Sequence, residues 1–340
     1  MDKALSLKHS LLIEIQSDMV SGAIVNAAQE IIYHVSTRTP HKKLESPDHI
    51  TKMMLKSLGG IAEKIAKEGL QITGAAGQIK DVHYVLSSPW VISRSKKVKI
   101  QYDENTEITA EIVQGIIEEE REKVFEEASE DIILIEEKIF DVQMNGYSVL
   151  SYEGKLTKDM EISFVFSLSS DEILKKIHSA LSKHIHFQVE HYHSALLMQY
   201  LESRSLAMDI GQHAIIHVHG ELTDIAIAGD GFNLSSFPFG ASTLVRKISS
   251  SLLHSLQSAV SILSMHEEGK LDEGHGKLIE QALFPELDNW HENCMRTPLP
   301  DMIYLSSVGH SGIFRSVLEK SGRKVKFLDR PLIKIYAGMI

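Results

Sequence analysis

One cysteine in 340 residues, Cys294, leaves the chain with no intrachain disulfide and no cysteine-built zinc cage. A lone thiol suits a reducing compartment. Cationic excess is missing as well. Thirty-five Lys and Arg stand against 46 Asp and Glu, a formal net charge of −11. Nucleic-acid binders show the opposite sign, so that partner class is not expected. Long apolar runs are absent. The first, Leu11-Leu12-Ile13, is cut by Glu14, and no secretory leader is expected from it. Nothing approaches the roughly 18 consecutive apolar residues of a membrane span. Low-complexity tracts, a His-Glu-x-x-His zinc motif and a Gly-x-Ser-x-Gly nucleophile elbow are also lacking. The expectation is a cytoplasmic chain without direct membrane insertion.

What remains is ordinary globular composition, 43% hydrophobic and 24% charged. The length suggests two domains. Charge is uneven along it. Residues 101–162 carry 18 acidic side chains against 5 basic ones and read as a separate unit with a solvated acidic helix face.

Apolar runs at Leu11–Ile15, Ser21–Val25 and Ile31–Val35 predict three short strands with hairpin-like links. A polar loop follows from Thr37 to Pro47. Asp48 is expected to cap a helix carrying Met54, Leu55, Leu58, Ile61, Ile65 and Leu70, with Gly59-Gly60 a weak point inside it. His83–Leu86 and Val98–Tyr102 predict strands, and residues 110–129 an amphipathic helix. Ile132–Asp141, Gly146–Ser151 and Glu161–Leu168 predict three more strands, and Asp171 opens a helix to about Lys183. A second hairpin opens the other half: Ala214–Val218, a turn at Gly220-Glu221, then Leu222–Ala228. Asp230-Gly231 signals a further turn. Helices are expected at 242–265 and 275–295, a strand at Met302–Ser306 and a helix at Ile313–Lys320. The pattern is two related halves, each a strand meander followed by helix and strand. A ligand would sit in the cleft between them, facing the two hairpin turns.

Three His-x-His pairs, at His184/His186, His191/His193 and His217/His219, would present both imidazoles on one face if they lie on strands. Ordinary hydrogen-bonded histidines are the simpler expectation. Gly74-Ala-Ala-Gly77 reads as a turn, since no Lys-Ser/Thr follows it. Trp90 is expected to pack where the first half meets the acidic block.

The stretch Ala214-Ile-Ile-His-Val-His-Gly-Glu-Leu-Thr-Asp resembles the second phosphate-binding hairpin of the actin-like ATPase superfamily. Leu12-Ile-Glu-Ile-Gln-Ser-Asp is similar to its first phosphate loop, and Ile303 to Gly312 falls where its adenosine loop lies. Ser235 to Gly240 and Val142 to Tyr147 resemble the bacterial branch that contains the cell-division protein FtsA and the type IV pilus assembly protein PilM. The resemblance implies an α/β, actin-like (ribonuclease H-like) two-half fold with a small inserted α+β subdomain. It divides the chain into a first half at 1–93, the insert at 94–169, a return to the first half at 170–209, and a second half at 210–340 with a helical region at 242–298. It also implies nucleotide-site residues: Glu14, Ser17, Gly220, Thr223, Asp224 and Gly309.

Six key positions depart from the family pattern. Glu14 stands at the first magnesium-positioning Asp, Gln16 at a glycine, His217 at the second Asp, and His219 at the glycine after it. The adenosine loop has Ser307 and Val308 for two glycines. Glu221 or Asp224 is the expected substitute carboxylate. The resemblance therefore implies ATP with Mg²⁺ bound weakly or not at all, and the lost ATPase motifs argue against an enzyme. The implied role is a scaffold taking the cytoplasmic peptide of a membrane protein in a cell-division or pilus-assembly type complex, with self-association left open. The alternatives are a working ATP-binding protein or slow ATPase, and a metal-binding protein using His217 and His219.

Overall fold

The computed structural model describes residues 9–38, 46–77, 79–206, 212–229, 231–307 and 309–328. Strands β1 (His9–Ile15) and β2 (Met19–Val25) are buried almost throughout, because helices cover both faces of their sheet. β3 (Ile31–Arg38) alternates half-buried and exposed residues, as an edge strand does. Helix α1 (Pro47–Lys64) is capped by Ser46, whose hydroxyl accepts from the His49 N–H. The expected cap, Asp48, sits inside the first turn. Pro47 at the first helical position moves the start ahead of it. Gly59 and Gly60 do not break the helix, since Met54, Leu58, Ile61 and Ala62 are buried against the first sheet. It ends in a π-turn at Ile65–Gly69 and a short α2 (Leu70–Ile72). β4 (Ile79–Leu86) completes the first segment.

The acidic block holds β5 (Ile92–Glu107), α3 (Ala110–Glu126), β6 (Ile132–Met144), β7 (Tyr147–Ser148) and β8 (Leu156–Ser170). β5 is much longer than Val98–Tyr102, and β7 much shorter than Gly146–Ser151. These strands form their own sheet, ordered β5-β8-β6-β7. Val113, Ile117 and Val124 of α3 cover Phe164, Phe166 and Val142 on one face. Its acidic residues are only partly free. Glu120 pairs with Lys123 (2.6 Å) and Lys96 (3.7 Å).

The chain then returns through α4 (Asp171–Ser182), β9 (Val189–Ser194) and α5 (Ala195–Leu206). The second half comprises β10 (His213–Val218), β11 (Thr223–Gly229), β12 (Gly231–Phe237), α6 (Ala241–Ser251), α7 (Leu256–Glu267), α8 (Glu273–Met295), β13 (Met302–Ser307), α9 (Ser311–Lys320) and β14 (Lys324–Phe327). The single helix expected at 242–265 is two. Leu253 adopts φ +53 between them, and Ser255 caps α7 by accepting from the Ser258 N–H (3.1 Å). Asp230, Val308, residues 39–45 of the first loop and the apolar residues from 331 to 340 lie outside the described residues.

The two large sheets share one topology. The first is ordered β3-β2-β1-β4-β9 and the second β12-β11-β10-β13-β14. In each, an antiparallel meander is followed by two parallel strands. Leu11, Ile13 and Ile15 pack on α1 and α4. Ile216 and Val218 pack with α6, α8 and α9. Helix α5 lies between the sheets. Ala195 and Met198 meet Leu12, Ala23 and Val85 of the first sheet. Leu197 and Tyr200 meet Ile215, Ala226 and Tyr304 of the second, together with Val165 of the insert. Each fully buried Leu, Ile or Phe here contributes about 1.5–3 kcal/mol. One apolar cluster thus spans insert, α5 and second half.

Candidate functional site

Strand register fixes what the two hairpin turns present. Glu14 opposes Ser21 and Ile15 opposes Val20. His217 opposes Asp224 and Val218 opposes Thr223. Two turns of equal length result. Gln16 N–H closes on the Met19 carbonyl (2.8 Å), and His219 N–H on the Leu222 carbonyl (3.1 Å). The topology of the halves aims the turns at each other.

They meet directly. The Glu221 N–H donates to Ser17 Oγ (3.0 Å), which lies 3.3 Å from His219 Nδ1. His219 Nε2 is 2.9 Å from Asp224 Oδ2, and the Ser236 hydroxyl donates to the other Asp224 oxygen. The Asp18 carboxylate fills the space beside Gly220, where any Cβ would overlap it. Gly240 is equally constrained, since a Cβ there would overlap the His219 and Gly220 carbonyls. Ser17, Asp18, His219, Glu221 and Asp224 are all 5% exposed or less. From the rim, Arg38 lies 3.6 Å from Asp18 and rests against Gly309 of the second half.

Beneath the turns Glu14 and His217 are shifted toward neutrality. Burial pushes the Glu14 carboxyl up to about 7, against the opposing hydrogen bond from Gln16. Burial, with His219 nearby, drives His217 down to about 3. The Gln199 amide, from α5, donates to His217 Nδ1 (2.9 Å) and to Ser306 Oγ (3.1 Å). An accepting Nδ1 puts the His217 proton on Nε2, which has no hydrogen-bond partner among the described residues. Burial also works against the Asp224 carboxylate. His219 and the Ser236 hydroxyl outweigh it and hold the group below its usual range.

Of the six expected site residues, Ser17, Gly220 and Asp224 come together at the contact between the turns. Glu14 lies below them, bonded to Gln16. Gly309 is at the rim beside Arg38, with φ +139. Thr223 does not join them. Its hydroxyl donates to the Phe239 carbonyl (2.7 Å) and accepts from Trp290 Nε1 (3.0 Å), inside the second half. Glu221 is no spare carboxylate either. Arg246 holds it through two bonds of 2.7 and 2.8 Å. Asp18, Arg38, Gln199, Arg246 and Ser236 were not singled out by the sequence. Asp18 was the findable one, as the register counterpart of Glu221.

The histidine pairs separate by element. His191 and His193 lie on β9 and stack with His83, at centroid distances of 4.5 and 5.8 Å. His184 and His186 fall after α4, off any strand. His217 and His219 stack at 5.0 Å, but both nitrogens of His219 are engaged. Among the described residues no three His, Cys, Asp or Glu side chains are grouped to hold a metal ion. Trp90 is buried in the first-half core, its indole N–H donating to the Gln16 carbonyl (3.2 Å) and its own carbonyl accepting from Ser169 of the insert (2.7 Å).

No protein-family model matches the sequence, and no curated protein matches it. Solved structures do. The chain is similar to one in a PilM–PilN type IV pilus biogenesis complex, with TM-score 0.65 and 16% identity over 96% of this chain and 89% of that one. It is similar to the ethanolamine utilization protein EutJ from Carboxydothermus hydrogenoformans, with TM-score 0.50 and 9% identity over 97% of this chain and 88% of that one. A Bacteroides thetaiotaomicron protein described as having an actin-like ATPase fold and unknown function matches with TM-score 0.46 and 12% identity over 99% and 98%. The chain has the actin-like ATPase fold.

Proposed function

We propose that this chain is a non-motor scaffold on the actin-like fold, working inside the cell and reaching the membrane through a partner's cytoplasmic tail. The observation that carries the reading is the contact between the two turns. Magnesium-bound polyphosphate needs ionised carboxylates and backbone N–H groups open to the phosphates. Here the Glu221 N–H is taken by Ser17, and Asp18 occupies the space over Gly220. Glu14 holds its proton to about pH 7, and His217 supplies no charge. The residues present do not fit that ligand.

The similarity in fold to a chain of a PilM–PilN complex supports a partner-binding role in a pilus-assembly or cell-division type complex. The peptide groove of this reading lies where the insert meets the first half. There Glu136 of β6 accepts the Ser194 N–H (3.0 Å) and faces His193 (3.5 Å). Exposed Glu118 of α3 and its acidic neighbours steer a basic tail toward the insert. The test uses synthetic cytoplasmic tails of single-span membrane proteins from the same cell, measured by fluorescence anisotropy. Saturable one-to-one binding of a basic tail, weakened by salt, supports the reading. Absence of binding across the set, or binding indifferent to salt, overturns the recruiting role or its electrostatic part, respectively.

A further inference from the structure

A cavity of about 340 Å³ opens where the first half, the insert and the second half converge. That is the small end of ligand pockets, which run to roughly 300–1,000 Å³. It has a graded wall. Pro89 and Ile92 are exposed at its mouth, while Ser87 and Asp224 are buried at its floor. Leu196 and Leu234 add apolar side chains to its lining. Among the described residues no Lys, Arg or His lines it, and Asp224 is its one charged side chain. Ser87 Oγ, 1% exposed, has no hydrogen-bond partner among the described residues. β5 and β12, each the last strand of its own sheet, pack against each other here, and Ser88 Oγ, in the turn before β5, lies 3.5 Å from Ser236 Oγ of β12.

These features select a ligand by elimination. An anion meets no cation and one carboxylate. A purely apolar ligand leaves the Ser87 hydroxyl unsatisfied and brings no countercharge to Asp224, whose oxygens already accept from Ser236 and meet His219 but retain lone pairs for a further donor. A slender apolar stem ending in a cation satisfies both. We propose that this cavity binds a primary alkylammonium group, its head at Asp224 and Ser87 and its stem between Leu196 and Leu234. The source is a lysine side chain of a peptide whose main chain crosses the mouth beside Pro89 and Ile92. That last clause rests on the peptide-recruiting reading above. The site itself does not.

The test uses the full chain and two probes, butylammonium chloride and a lysine flanked by capped alanines. Butan-1-ol and sodium chloride at equal ionic strength are the controls. Saturation-transfer NMR and thermal shift read binding. Expected is saturable binding of both amines and of neither control. Asp224→Asn should weaken it by at least about tenfold, as expected for loss of a charge-assisted hydrogen bond. Because Asp224 also holds His219, Leu234→Trp serves as a second variant. It fills the cavity, leaves the carboxylate in place and should abolish binding. Butylammonium bound without the lysine peptide supports the site and overturns the lysine source. Equal response to butan-1-ol, or binding unchanged by both variants, overturns the site. Failure here leaves the tail-binding result standing on its own.

Discussion

Replacing Glu14 with glutamine removes one proton equilibrium and almost no volume. In the folded chain burial raises this carboxyl from 4.5 to about 7. The native state therefore keeps a proton that the unfolded chain releases between those values. The contribution to stability is fully present below about pH 4.5 and is lost as pH rises through about 7. The difference corresponds to about 3 kcal/mol. His217 has the opposite sign. Burial lowers it from 6.5 to about 3, so its contribution is full above about pH 6.5 and is lost as pH falls toward 3. The two slopes oppose each other over much of the acidic range, and the wild-type curve alone does not separate them. The difference between wild type and Glu14→Gln does. Urea unfolding followed by the fluorescence of the buried Trp90 and Trp290 supplies it. The variant should gain about 3 kcal/mol relative to wild type on going from about pH 4.5 to above 7. A flat difference curve would refute the reasoning, because it would mean that Glu14 is ionised in the fold as it is in water.

Gly220→Ala pushes a methyl group into the Asp18 carboxylate. It should cost about 1–3 kcal/mol in urea unfolding, the range of overpacked sites. Glu221→Gln breaks the pair with Arg246 from the buried side and should cost about 3 kcal/mol, with the loss smaller in the double variant Glu221→Gln/Arg246→Met. Trp290→Phe removes the indole donor to Thr223 and should cost about 1 kcal/mol beyond the lost packing. Cys294 is fully buried, and burial pushes its thiol far up. Ellman's reagent should label it in urea and leave it unreacted in buffer, as read by absorbance.

The strands of both meanders were legible because they are short apolar runs between polar turns. Helix α1 was legible through the period of Met54, Leu58 and Ile61. Helix α5 was not. Ala195 to Tyr200 is buried on every side, because two sheets cover it, and its one polar residue, Gln199, is buried too, so it has no solvated polar face to set a period. The break before α7 was hidden because Leu253 takes a left-handed conformation with no glycine or proline to announce it. At the site, the loss of Asp and Gly at Gln16, His217 and His219 could be read from sequence. What replaced them could not. That Ser17 reaches His219, and that Asp18 fills the space over Gly220, depends on how one half lies on the other, which no local pattern encodes. Glu221 looked like a substitute carboxylate until Arg246, 25 residues away, proved to hold it. Thr223 matched a binding position and serves the packing of Trp290.

The central claim is that the turns of this fold bind each other in place of a nucleotide. Thermal unfolding of the full chain titrated with ATP and Mg²⁺, and repeated with EDTA, tests it most directly. A ligand bound only to the native state at 100 times its Kd adds about 2.7 kcal/mol, a large shift in midpoint. No magnesium-dependent shift is expected at millimolar ATP. A saturable rise in midpoint that EDTA reverses would contradict it, because Ser17, His219 and Asp18 would then have to part to admit the phosphates.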